Sequence, residues 1–199
     1  MKIFGLVGRS GSGKTTLMVS LIPALRRRGL TVSTLKHAHH GFDIDKPGKD
    51  SFRHREAGAE EVMLVSGSRW ALLHEIRADE PEPPLEDLIA AMKPVDLLLI
   101  EGFHTHGHPT MEVHRPSEGH DLMWRPGSNI VAVASDEPLA PLGVPLLDLD
   151  DVETIADFIL AHVRVHVGDR RRPAAPCLAG PATGRNRPVV RRPSPSFDA

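Results

Sequence analysis

An octapeptide near the start of the chain, Gly8-Arg9-Ser10-Gly11-Ser12-Gly13-Lys14-Thr15, satisfies every constrained position of the pattern G-x-x-x-x-G-K-[ST], and Thr16 follows it. Residues of these types at this spacing bind phosphate. Glycines let the backbone close around phosphate oxygens, the amides of a following helix start point at them, Lys14 adds a positive charge, and the Thr15 hydroxyl suits a magnesium ion. The pattern therefore predicts a nucleoside triphosphate held by Gly8, Arg9, Ser10, Gly11, Ser12, Gly13, Lys14 and Thr15. A carboxylate is expected nearby. Glu101, followed by Gly102, ends the apolar run from Val95 to Ile100, and from a strand end it can orient a metal-bound water, act as a base, or simply cap the turn.

Other residues have two readings each. Asp45 and Asp50 lie in the polar segment from Lys36 to Ser51, where they can sense the terminal phosphate through magnesium or cap turns and a helix start. His37, His39 and His40 in the same segment can ligate a metal or, protonated, meet an anionic phosphate. Their spacing matches no recognised zinc pattern. Asp136 follows the apolar stretch Asn129 to Ala134, and its carboxylate can accept the N1 and amino hydrogens of guanine or belong to the turn before Pro138. Arg9 is either solvated or a donor of positive charge to a nucleotide across a dimer interface.

The elements that must position these residues are an alternation. Ile3 to Val7 reads as a strand, Thr16 to Leu25 as a helix with apolar residues at helical spacing, and Arg26-Arg27-Arg28-Gly29 as its end. Thr31 to Lys36 reads as a strand, Asp50 to Gly58 as a helix, and Glu61–Val65 and Trp70 to Leu73 as strands joined tightly through Ser66-Gly67-Ser68. Leu85 to Met92 has helical spacing, Val95 to Ile100 and Asn129 to Ala134 read as buried strands, and Val152 to Ile159 as a closing helix with acids at its start. Such a chain predicts an α/β fold of the phosphate-loop NTPase type, a mostly parallel sheet with helices on both faces. Ligands then sit beyond the carboxyl ends of the strands.

Composition narrows the setting. A chain of 199 residues, 40% hydrophobic, can bury one substantial core. The lone Cys177 supports neither a disulfide framework nor a cysteine metal site, and no run of apolar residues is long enough to span a membrane, so a reducing cytoplasm is expected. The formal charge of −2 conceals an asymmetry, since Gly168 to Ala199 holds seven arginines against two aspartates and leaves residues 1–167 acidic. This Pro- and Arg-rich tail (168–199) is expected to be disordered, because it offers little apolar surface to offset ordering entropy. It lacks interleaved aromatics and any nucleic-acid module, so nucleic acid is not the expected partner.

The order Lys36-His37-Ala38-His39-His40-Gly41-Phe42-Asp43-Ile44-Asp45-Lys46-Pro47-Gly48-Lys49-Asp50-Ser51, then Arg53, Arg55 and Ala57-Gly58-Ala59, Ile100-Glu101-Gly102-Phe103 and Ala132-Val133-Ala134-Ser135-Asp136, set behind the phosphate loop, closely resembles the molybdopterin-guanine dinucleotide biosynthesis accessory protein B family. The resemblance runs from about Lys2 to Val167. It implies a GTP-binding protein with weak hydrolysis, a homodimer, working beside the guanylyltransferase that attaches GMP to molybdopterin, with molybdopterin or its guanine dinucleotide as a further contact. By that likeness Gly11, Gly13, Lys14, Thr15 and Thr16 hold phosphates and magnesium, and Glu101 stands near the metal. One departure is visible: Phe103-His104-Thr105-His106-Gly107-His108 stands where a lysine and acidic residues are expected after Glu-Gly-Phe. Competing readings are a small-molecule kinase, with Arg53 and Arg55 as lid residues, and a metal-insertion GTPase suggested by the histidines.

Overall fold

The computed structural model describes residues 1–38, 41, 44–77, 80–103 and 107–164. They belong to a compact unit, Met1–Val167. The basic tail, together with His39, His40, His104 and His106, lies outside the described residues.

Strands buried at the centre and more exposed at the two edges build the central layer. β1 (Lys2–Val7), β2 (Val32–Lys36), β5 (Leu97–Glu101), β6 (Thr110–His114), β7 (Ile130–Ser135) and β8 (Leu146–Asp148) form one six-stranded sheet in the order β2-β5-β1-β6-β7-β8. Every pairing in it is parallel. β1 is flanked by β5 and β6, with Leu6 level with Glu101 on one side and Val7 level with Glu112 on the other. All six strands therefore end at the same edge of the sheet, and the phosphate loop leaves that edge from the middle.

Period-two alternation sorts the side chains to two faces. Phe4, Leu6, Leu97, Leu99, Met111, Val113, Ala132 and Ala134 meet α1 (Lys14–Arg27) and α4 (Val152–Val163) on one face. Arg28, just past α1, pairs with Glu153 at 2.6 Å and Asp157 at 2.7 Å on α4, fixing how the two helices lie together. On the opposite face Ile3, Leu35, Leu98 and Ile100 pack on α3 (Leu85–Ala90), and Val7, Ile130 and Val133 are covered by Leu122, Met123, Trp124 and Leu142. Helices thus stand on both faces, as expected, but loop chain completes the second cover. β3 (Glu61–Val65) and β4 (Trp70–His74) form a separate antiparallel hairpin, packed through β3 on α2 (Asp50–Glu56). Among the described residues no helix is long and apolar enough to cross a membrane.

Two strands were not foreseen. β8 is short, and β6 reads Thr-Met-Glu-Val-His, whose polar residues disguise a strand in which every residue is buried. Glu112 resolves that contradiction. It is fully buried, and its Oε1 and Oε2 accept the backbone N–H groups of Met123 and Trp124, each at 2.7 Å. A buried carboxylate is tolerable where donors satisfy it, and this one hooks the loop that covers the sheet's second face.

Glu112→Ala would leave two part-buried amides without their acceptors, and we expect a loss of about 2–6 kcal/mol in urea unfolding, since orphaned groups cost about 1–3 kcal/mol each. Trp124 emission in a Trp70→Phe background should shift to the red as the loop lifts; unchanged stability and emission would show that the hook is dispensable.

Candidate functional site

Gly8 opens the loop at a place only glycine can occupy. Its φ is 149°, and an added Cβ would stand 2.4 Å from the Val113 carbonyl oxygen of the neighbouring strand. The loop is thereby pressed against β6. Ser12, 3% exposed, packs its Oγ under the same glycine. Gly13 takes a left-handed conformation, φ 93°, as the N-cap of α1 and offers no side chain to the helix's first amides. A helix start without a protein cap is a ready anion site, because its amide groups and dipole both favour negative charge.

Lysine and hydroxyl complete it. Lys14 Nζ donates to the carbonyls of Gly8 at 2.9 Å and Arg9 at 2.8 Å, folding the amine back over the loop. Burial pushes the Lys14 ammonium below its ordinary pKa, the Glu101 charge opposes this, and the Lys36 charge adds to it. Bound phosphate would reverse that balance. Thr15 Oγ1 donates to Glu101 Oε1 at 2.9 Å, a bond that ties the first turn of α1 to the end of β5. Glu101 is 8% exposed.

Lys36, at the end of β2, places its ammonium 3.1 Å from Glu101 Oε1 and 3.4 Å from Thr15 Oγ1. Sequence reasoning used Lys36 only as the border of a polar segment. The signal that could have found it is topological: β2 lies beside β5 with Lys36 level with Glu101, which spacing along the chain does not reveal. Its ammonium therefore lies against both the Thr15 and the Glu101 oxygens. Such a hydroxyl and carboxylate pair has the hard oxygen chemistry that magnesium prefers.

The remaining predicted residues are distributed as follows. Arg9, Ser10, Gly11 and Thr16 are exposed on the loop and the first turn of α1. Asp45 is not turned to the loop: both its oxygens accept from Arg55, at 3.2 Å from Nε and 2.7 Å from Nη2, and Arg55 also pairs with Glu75 at 2.6 Å. That triad staples the segment before α2 to α2 and to the residue after β4. It also accounts for Arg55, considered above as a lid residue, as a structural tie. Asp50 is the first residue of α2 and is exposed. Asp136 accepts a very short hydrogen bond from Arg115 Nη1. His37 is near Glu82 at 3.1 Å, and its ring lies tilted by 40° against Phe103, with centroids 4.5 Å apart. No cluster of metal-ligating side chains occurs among the described residues.

Against this geometry, comparison with known proteins is consistent in sequence and in shape. The model of the family described as molybdopterin guanine dinucleotide synthesis protein B matches residues 3–136. The molybdopterin-guanine dinucleotide biosynthesis adapter protein of Escherichia coli is 45% identical over 158 residues, covering 76% of this chain and 87% of that protein. The protein of the same name from Haemophilus influenzae is 40% identical over 164 residues, with coverage of 79% and 86%. A solved MobB protein homolog from Bacillus stearothermophilus superposes with a TM-score of 0.59 at 28% identity, over 83% of this chain and all (100%) of that one.

Hydrogen bonding to Arg55 holds the Asp45 carboxyl below its usual value of 3.8. A carboxylate with a depressed folded pKa stabilises the fold above its unfolded pKa, and that contribution disappears as pH falls through the folded value. Asp45→Asn should therefore lower the urea midpoint at pH 7, and the gap from wild type should close on titration below about pH 3.8. A gap that persists in acid would show that the pair does not act through charge.

Proposed function

The chain belongs to the molybdopterin guanine dinucleotide synthesis protein B family, and from that membership we propose that it serves molybdopterin guanine dinucleotide biosynthesis as a nucleotide-dependent adapter. GTP binds at the phosphate loop, and the protein works beside the guanylyltransferase that joins GMP to molybdopterin. The observation that carries this reading is the uncapped start of α1, with Lys14 over the loop and Thr15 bonded to Glu101 across the sheet edge.

Each part has a chemical role. The amides from Gly11 to Thr16 and the Lys14 ammonium hold the phosphates. Thr15 and Glu101 hold magnesium, which when bound neutralises phosphate charge. Lys36 then leaves the position it shares with them, and because it opens the polar segment 36–51, its release is how nucleotide occupancy reaches the surface a partner reads. Asp45 and Asp50 serve this segment's shape. Hydrolysis is weak because Glu101 is committed to the magnesium and Asp45 to Arg55, so neither is free to activate water.

A homodimer fits one face of the hairpin. Met63, Val65, Trp70 and Leu72 lie on the same face, since Met63 pairs with Leu72 and Val65 with Trp70, and they are 58%, 73%, 67% and 44% exposed. An apolar patch on a two-stranded ribbon is unusual on a monomer and suits a second copy of the chain. The site of action is the cytoplasm, where GTP and the partner enzyme meet.

In a reconstituted reaction of molybdopterin, GTP and guanylyltransferase, wild-type protein should raise the yield of guanine dinucleotide and Lys14→Ala should not. Equal yields with and without the wild-type chain would reject the adapter role. Sedimentation of Val65→Glu with Leu72→Glu should show a folded monomer; an intact dimer would place the contact elsewhere.

A further inference from the structure

The side of the phosphate loop opposite Glu101 carries its own charged groups, supplied by the strand that was not foreseen. Arg115 directly follows β6, and its Nε and Nη2 lie 3.2 and 3.6 Å from where a Cβ on Gly13 would stand. Glu118 follows one turn later, its Oε2 lying 2.9 Å from the corresponding position on Gly11. The two are joined by a short 3-10 turn, Pro116–Glu118, in which the Glu118 amide donates to the Arg115 carbonyl at 3.1 Å. A guanidinium and a carboxylate thus face adjacent parts of the loop from one small piece of chain.

The way Arg115 is held separates it from the structural arginines of this protein. Arg55 grips Asp45 with Nε and Nη2, and Arg28 turns the same two nitrogens to Asp157. That edge is the one matched to carboxylate or phosphate oxygens in pairs. Arg115 spends only Nη1 on Asp136, end-on, and keeps its Nε and Nη2 edge toward Gly13. Asp136 Oδ1, meanwhile, is buried with no hydrogen-bond partner among the described residues. A pair built for stability would satisfy both oxygens; this one leaves an oxygen unsatisfied and the binding edge of the arginine aimed at the loop.

We propose that Arg115 is a phosphate-contacting residue for the bound nucleotide, that Asp136 is the positioning residue that holds it, and that Glu118 opposes the nucleotide by like charge until displaced. This rests on the reading that the loop binds GTP, and it gives Asp136 a role other than recognition of the base. Phosphates arriving on the loop meet a guanidinium already placed, so little of its rotamer entropy remains to be lost. They also push the Glu118 carboxylate away from Gly11, and the shared turn makes the two displacements one movement. Nucleotide is then gripped between the end of β5, through Glu101, and the end of β6, through Arg115.

The test is GTP affinity with magnesium, measured by calorimetry on the full chain. Arg115→Ala should weaken binding about tenfold to hundredfold, the usual worth of a charge-assisted hydrogen bond, and Arg115→Lys should recover only part of it. Glu118→Gln should bind more tightly than wild type, a gain that misfolding cannot produce. Asp136→Asn should weaken binding, but the double variant with Arg115→Ala should be no weaker than Arg115→Ala alone, because Asp136 acts only through that arginine. A purely structural role for Asp136 would instead add its loss to the other. If Arg115→Ala and Glu118→Gln both match a wild type that binds GTP, the proposal is overturned while the loop reading stands. If wild type itself ignores GTP, both fall.

Discussion

β1 stands between β5 and β6 with all three strands parallel, and the site depends on that constraint. Parallel neighbours end at one edge, so groups far apart along the chain arrive together: Thr15 reaches Glu101 across 86 positions. The turn after β1 has no freedom to move away, because Gly8 is pressed against the Val113 carbonyl of β6. A glycine-rich loop in isolation would pay a large entropy cost to close on phosphate. Here that cost is met in folding, by a sheet in which β5, β6 and the last four residues of β1 are buried.

Electrostatics then follow from position. Lys14 and Lys36 bring two ammonium groups to a loop that the Glu101 and Glu118 carboxylates also face. Lys14 leans on backbone carbonyls and Lys36 on the Thr15 and Glu101 oxygens. These are temporary partners by their chemistry, since phosphate oxygens and a divalent cation are stronger competitors for the same contacts. On the proposed reading nucleotide binding is an exchange of ion partners at strand ends, and Lys36, one of the residues exchanged, begins the polar segment 36–51.

Much of this was legible from residues alone, for definite reasons. The loop motif combines constrained glycines with a lysine and a hydroxyl, and Val95 to Ile100 is apolar enough to mark a strand whose end presents Glu101. The same reasoning missed β6, because Glu112 and His114 look like surface residues until the Met123 and Trp124 amides are seen to satisfy the carboxylate. With β6 went Arg115. Asp45 was read toward magnesium on its place in a polar loop, and only the fold shows Arg55 and Glu75 arranged around it. Contacts of that kind depend on strand order and on side-chain direction across elements, neither of which periodicity records.

The central claim is that this loop takes a guanosine triphosphate with magnesium. Equilibrium titration of the wild-type protein with GTP, and with ATP, in the presence and absence of magnesium examines it directly. One GTP per chain, bound more tightly with magnesium and in preference to ATP, is the predicted result; no saturable binding, or binding indifferent to the metal, would contradict it.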